Sequence, residues 1–240
     1  MNSYALTDVG KKRAVNQDCV FATDTPIGTL PNLYVVCDGM GGERAGDYAS
    51  ATTIETVRDS VSKATSPEPV VVLEQAIKSA NTKVYSEAQA DPGKAGMGTT
   101  IVACTVMDGH VYIANVGDSR LYIATTSGLT QITRDHSVVA ELVRRGSITP
   151  EEAKTHRDRS KITRAVGAEP EVLPEFFDVE LKGKEHILLC SDGLTNMVSE
   201  DEINFELMSP DDAKDQADRL IELANRHGGT DNISAIIINV

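Results

Sequence analysis

The chain has 240 residues, a formal charge of −13 and a sequence isoelectric point near 4.8. That length suits one catalytic domain with a single buried core, and the acidity excludes a general nucleic-acid binder, whose partner's phosphates it would repel. No basic stretch followed by an apolar run opens MNSYALTDVG, and no segment approaches the roughly 18 apolar residues of a membrane span, so neither export nor a membrane anchor is expected. The expectation is a cytoplasmic protein, monomeric because no coiled-coil pattern appears.

In chain order, SYALTDVG reads as a strand ended by the basic turn GKKRAVNQD, and DCVFATD as a second short strand. NLYVVC, Asn32 to Cys37, is an apolar run that predicts a strand stopping at Asp38. The glycine-rich DGMGGERAGD after it predicts a loop entering a helix from Ala45 to about Lys63, with Ile54, Val57 and Val61 on one face. A second helix is predicted after Ser66-Pro67, carrying Val70, Leu73, Ile77, Ala80 and Val84. From Thr99 the DG, GD and SG turns predict one antiparallel meander.

The charged stretch after Thr133 predicts short helical turns near Val138 to Arg145 and from Pro150, in an insertion suited to facing substrate. Strands return at PEFFDVEL and HILLCSD, and a last helix, Asp211 to His227, leads through GGTDN to ISAIIINV. Strands in two batches with flanking helix pairs predict an α+β sandwich of two sheets covered outside by helices. Cys19, Cys37, Cys104 and Cys190 lie far apart without a CxxC pair, which disfavours structural zinc and predicts reduced core thiols.

The chemistry concentrates in aspartates. Two apolar runs end in Asp-Gly, at Asp38-Gly39 and Asp192-Gly193; a third run ends in Gly-Asp118, and Asp231 precedes the last strand. A carboxylate at the end of a buried strand is costly unless solvated, paired or bound to a cation, so four of them argue for a shared cation site. Hard ions such as Mg²⁺ and Mn²⁺ take such oxygens, and two ions a few ångströms apart can activate a water and clamp a phosphoryl group. Asp38 is the candidate bridge, the Gly39 carbonyl a further ligand, Asp192 and Asp231 complete the pair, and Asp118 is peripheral. Arg13 is the candidate phosphate donor, preferred over Lys11 and Lys12 because a guanidinium grips two oxygens at once. Asp18 could orient a water instead of binding directly. Singly, each aspartate is also compatible with an ordinary turn, and a calcium-binding module stays open although no EF-hand spacing occurs.

The ordered set DVGKKRAVNQD, VVCDGMGG, GMGTT, NVGDSRLY, TRDHS, LCSDGLTN and GGTDNIS closely resembles the bacterial branch of the metal-dependent protein phosphatases, the protein phosphatase 2C family, over essentially the whole chain. The resemblance implies a four-layer α-β-β-α sandwich and hydrolysis of phosphoserine and phosphothreonine at a binuclear Mn²⁺ or Mg²⁺ centre. It implies that Asp38 bridges the metals, that Gly39, Asp192 and Asp231 are ligands, and that Asp118 serves a third, weaker ion. It also implies that Asp18 acts through water, that Asn232 is a polar neighbour of the last acid, and that Arg13 holds the substrate phosphate. Residues from about 137 to 167 correspond to the flap, with His156 and Arg164 at recognisable positions. Phosphorylated proteins and a cognate serine/threonine kinase are the implied partners.

Two positions depart from relatives of this family. Met40 stands where eukaryotic members have a histidine, leaving no side-chain acid for the leaving oxygen, and Glu43 stands where bacterial members often have histidine. His136 is expected to be structural, because catalysis would require contact with the proton it moves. Arg144, Arg145, Arg157, Arg159 and Lys161 are candidates for guiding phosphorylated segments inward. A metal-dependent phosphodiesterase and a non-catalytic binding protein are the alternatives; the acidity disfavours the first, and the presence of Asp38, Asp192 and Asp231 disfavours the second.

Overall fold

The computed structural model describes residues 1–41 and 45–240, so Glu43 lies outside the described residues. In chain order the elements are β1 (Asn2–Asp8), β2 (Asp18–Thr23), β3 (Leu33–Met40), α1 (Gly46–Ser62), α2 (Pro69–Ala90), β4 (Gly98–Thr99), β5 (Ile101–Met107), β6 (His110–Val116), β7 (Arg120–Thr125) and β8 (Gly128–Gln131). They continue with α3 (Val138–Arg144), α4 (Pro150–Thr155), β9 (Glu175–Glu180), β10 (His186–Cys190), α5 (Asp192–Thr195), α6 (Glu200–Leu207), α7 (Ala213–Arg226) and β11 (Ile233–Asn239).

The strands form two antiparallel sheets. One runs β1-β11-β10-β7-β8; the other runs β2-β3-β5-β6-β9, with β4 paired to β3. Alternation along each strand sorts its side chains into two layers. On β3, Leu33, Val35 and Cys37 pack outward among α1 and α2, while Tyr34 and Val36 face the other sheet. On β10 and β11, Ile187, Leu189, Ile236 and Ile238 face inward, and Leu188, Cys190, Ala235 and Ile237 pack outward among α6 and α7. The result is four layers, helix-sheet-sheet-helix, as expected from the sequence.

The structure corrects the reading from the sequence at three points. β3 does not stop at Asp38; it continues to Met40, because Gly39 and Met40 pair with Thr99 and Gly98 of β4. The second helix begins after Ser66-Pro67 as expected, with Pro69 in its first turn. The supposed meander is divided: β5 and β6 lie in one sheet, β7 and β8 in the other, and the chain changes sheet through Gly117-Asp118-Ser119. Helix α6 was not foreseen, although Ser199 and Glu202 form a capping box at its start.

The segment from about 137 to 167 carries α3 and α4. It is tied down by two isolated strand-like pairings, Ser137 with Ile162 and Thr99 with Val166. Cys37, Cys104 and Cys190 are buried, Cys19 is half-buried, and all four are free thiols. Among the described residues no helix is long and apolar enough to cross a membrane.

Candidate active site

Antiparallel geometry brings the acids together. Asp18 opens β2 and is the direct partner of Asp38 on β3. Asp192 follows β10, and Asp231 precedes β11, its antiparallel neighbour. Asp118 sits where the chain passes from one sheet to the other. All five therefore lie at one end of the sandwich. By the alternation of β3, Asp38 shares the inward face of Tyr34 and Val36, so its carboxylate is directed between the sheets.

The backbone around Asp38 is fully engaged. Its amide donates to Thr100 Oγ1 at 3.0 Å, and its carbonyl accepts from Thr100 N at 2.9 Å and Thr99 Oγ1 at 2.8 Å. Thr100 Oγ1 in turn shares a 2.7 Å hydrogen bond with Ser119 Oγ, beside Asp118. Gly39 cannot be replaced by a larger residue: a Cβ there would lie 2.0 Å from the Gly46 carbonyl oxygen and 2.6 Å from that of Gln17.

Asp18 is 8% exposed and is held from the opposite sheet. The hydroxyls of Ser191 and Ser234 each donate to its Oδ2 at 2.7 Å, and its Oδ1 has no hydrogen-bond partner. These two serines were not assigned from the sequence. The signal was present in ISAIIIN, where Ser234 is a lone polar residue on the inward face of an apolar strand. Asp192 opens the short helix α5 and accepts from Asn196 Nδ2 at 3.0 Å.

Crowding of like charge in a buried place shows in the titration of the cluster. Burial, reinforced by Asp18, Asp192, Asp118 and Asp231, pushes the Asp38 carboxyl well above the ordinary carboxylate range. Burial pushes Asp18 up to about 6 in spite of its two serine donors. Asp118 is pushed up to about 7, first by burial and then by Asp192 and Asp135. Asp192 is raised by burial and by Asp231.

Arg13 lies in the loop after β1 and reaches Asp231 Oδ2 at 2.8 Å, with its side chain half exposed. Asn232 N donates to the other oxygen of Asp231 at 2.9 Å. Among the described residues no three acid, imidazole or thiol groups close around one point as a finished ligand set. The donor chemistry nonetheless fits hard divalent cations: it is all oxygen, it is strongly anionic, and one buried carboxylate oxygen of Asp18 is unpartnered.

The flap residues stand differently. His156 accepts from Asp158 N within its own segment at 3.1 Å. Arg164 lies against His136 and the Leu173 carbonyl, and with Met40, Ala165, Val172 and Leu173 it lines a cavity of about 250 Å³. His136 is buried: its Nδ1 accepts from Gly117 N at 3.1 Å, which leaves Nε2 as the donor toward Glu175 at 3.3 Å. Burial, and then Arg164, hold its pKa below the ordinary histidine value. It pins the turn before Asp118 to β9 and has a structural role. Of the five basic flap residues, Arg144 and Arg145 pair with Glu141, and Arg157 and Lys161 with Asp158, so most of that charge is met locally.

The family model of protein phosphatase 2C matches residues 26–144. The serine/threonine phosphatase stp of Listeria welshimeri is 38% identical over 247 residues, covering 99% of this chain and 95% of the relative. The chain belongs to the protein phosphatase 2C family. As a member of its bacterial branch it is a metal-dependent protein serine/threonine phosphatase. The crystal structure of serine/threonine phosphatase Stp1 from Staphylococcus aureus superposes with a TM-score of 0.93 at 36% identity, covering 99% of this chain and 94% of that one. The catalytic domain of the phosphatase PstP, solved in complex with two manganese ions, gives 0.87 at 35% identity, covering 98% and 96%. In this protein phosphatase 2C chain, the two sheets and their outer helices are thus the family's fold.

Proposed function

We propose that the chain hydrolyses phosphoserine and phosphothreonine in proteins at a binuclear Mn²⁺ or Mg²⁺ centre built on the acid cluster. Asp38, Asp192, Asp231 and the Gly39 carbonyl would hold the two ions, and Asp118 would share a third, weaker one with Asp192. When bound, the ions supply activation of a water for direct attack on phosphorus and neutralisation of phosphoryl charge. The observation that carries this reading is the convergence of five strand-end aspartates from both sheets, with four of them driven upward in pKa. Crowded carboxylates of this kind are relieved by a bound cation, and an oxygen-only set favours a hard one. Two manganese ions in PstP support the same count.

The chain's own groups do the rest. Asp18, gripped by Ser191 and Ser234, keeps an oxygen free to orient a water. Arg13 is exposed enough to exchange Asp231 for a substrate phosphate, which its guanidinium can bind through two oxygens. Met40 supplies no proton to the leaving oxygen, and His136 is turned away into its own hydrogen bonds. Water is therefore the proposed donor. The 240 residues act as one catalytic domain, with residues of about 137 to 167 as its flap, on phosphorylated proteins made by a serine/threonine kinase.

The test is Mn²⁺-dependent phosphate release from a phosphothreonine peptide by the wild type and by Asp38→Asn and Asp192→Asn. Turnover that needs the metal and disappears in both variants is the expected result. A folded wild type inert across Mn²⁺ and Mg²⁺ titrations would sink the proposal.

A further inference from the structure

The loop between β1 and β2 carries Arg13 and has no regular structure of its own. Lys11, Lys12 and Arg13 are exposed, so no core packing fixes the arginine. Asn16 ties its second end to Thr7 through a 2.8 Å side-chain bond, and one further side chain bridges both ends at once. Asn232 is 5% exposed, and its Nδ2 donates to Val9 O at 3.0 Å and to Val15 O at 3.0 Å. Its Oδ1 accepts from Gln17 N at 2.9 Å. Both amide hydrogens and the amide oxygen are thus committed to the backbone of one segment more than 200 positions away, at the two mouths of the loop and just beyond. The middle is supported separately, by Lys11 N and Lys12 N on Gly229 O at 2.7 and 3.2 Å.

The same dipeptide therefore has two duties. Asp231 belongs to the acid cluster and faces Arg13; Asn232 closes the loop on which Arg13 is mounted. Close approach is built in at Gly10, whose φ is +75° and where a Cβ would lie 2.1 Å from the Asp231 carbonyl oxygen. We infer that Asn232 is a positioning residue for substrate phosphate, acting through Arg13 by holding the Val9–Val15 loop at the metal end of the sandwich. This inference rests on the assignment of Arg13 as the phosphate-binding residue. The amide is the required group, because an aspartate there would face two carbonyl oxygens without a donor.

Limited trypsin digestion reads the loop without reference to turnover, since cleavage at Lys11, Lys12 and Arg13 reports its order. In Asn232→Ala, cleavage there is expected to accelerate about tenfold while cleavage elsewhere is unchanged. With p-nitrophenyl phosphate, Asn232→Ala and Arg13→Ala are each expected to raise KM by about tenfold with kcat within about twofold, and the double variant to match Arg13→Ala. The Mn²⁺ concentration for half-maximal activity is expected to stay at the wild-type value. Unchanged trypsin cleavage, KM effects that multiply in the double variant, or a loss traced to weaker Mn²⁺ binding would each overturn the inference. An unchanged KM in Arg13→Ala would instead remove the phosphate assignment of the arginine, and this role of Asn232 with it. If Asn232→Ala does not fold, Asn232→Ser, which stays polar and uncharged but is too short to bridge Val9 and Val15, carries the same comparisons.

Discussion

The acid end of the sandwich and the flap are both rich in charge, yet they hold it in opposite ways. At the acid end five carboxylates are fixed at strand termini, Asp18 buried and the other four partly so, and set against one another, with one hydroxyl pair and one exposed arginine among the groups that relieve them. In the flap the charges sit on short helices and turns at the surface, and several of the basic groups pair with an acid of the same segment, as with Arg145 and Glu141 or Lys161 and Asp158. The first arrangement stores electrostatic cost that a cation can release; the second stores almost none. Like-charge strain at rigid positions is what a metal site needs, whereas local pairing leaves a surface free to vary.

The sharpest way to break this contrast is Asp38→Asn. Removing the charge at the centre of the cluster is expected to lower phosphate release by about a thousandfold or more. The same change is expected to raise the melting temperature of the metal-free protein, because the remaining acids lose a repulsive neighbour. A fall in both would place Asp38 in the core's integrity instead of in the site's strain.

Next in size is the pair of hydroxyls. Ser234→Ala removes one of the two donors to Asp18 and is expected to weaken Mn²⁺ binding by about tenfold, read by calorimetry. No change would show that Asp18 needs only Ser191.

The pH dependence follows in magnitude. Asp18 and Asp118 bind protons more tightly in the folded, metal-free protein than in the unfolded chain, with values of about 6 and about 7 against an ordinary 3.8. Their protonated forms therefore stabilise the metal-free fold fully below about pH 4, and that contribution is lost as pH rises from there through 6 to 7, to the extent of roughly 3 kcal/mol for Asp18. Melting of EDTA-treated protein from pH 4.5 to 8 should fall in that window. Manganese addition at pH 6 in weak buffer should release protons. Flat melting curves and no proton release would mean the cluster is already ionised.

Smallest of all, Glu141→Gln frees Arg144 and Arg145 and is expected to cost no more than about 0.5 kcal/mol in stability, measured by urea unfolding. A large loss would show that the flap's pairing is structural after all.

What was legible in the sequence follows the same divide. The acids were visible because an apolar run broken by Asp-Gly is costly anywhere except at an exposed or cation-binding strand end. The sandwich was visible in the two batches of strands. The division of the meander was not, because period-two alternation is identical in either sheet; only the turn at Gly117-Asp118-Ser119 decides, and its glycine lies against Thr100. The end of β3 was misplaced because its last pairing partner is the two-residue β4, too short to announce itself. Asn232 could be named as a neighbour of Asp231, but its three bonds join residues remote in sequence, and no local pattern encodes them. Ser191 and Ser234 were hidden for the same reason.

Strand β11, the last in chain order, is inserted between β1, the first, and β10. Its Ser234 reaches Asp18 across 216 positions of sequence. Contacts of such long range are the slow ones to form, and during synthesis they wait for the final strand to emerge. A nascent chain therefore has no assembled centre: while Asp231, Asn232 and β11 remain within the ribosome, the earlier acids have neither their last partner nor a mounted arginine. Timing of activity is thus written into strand order, and a growing polypeptide of this kind is silent toward phosphorylated proteins around it until β11 has emerged and paired.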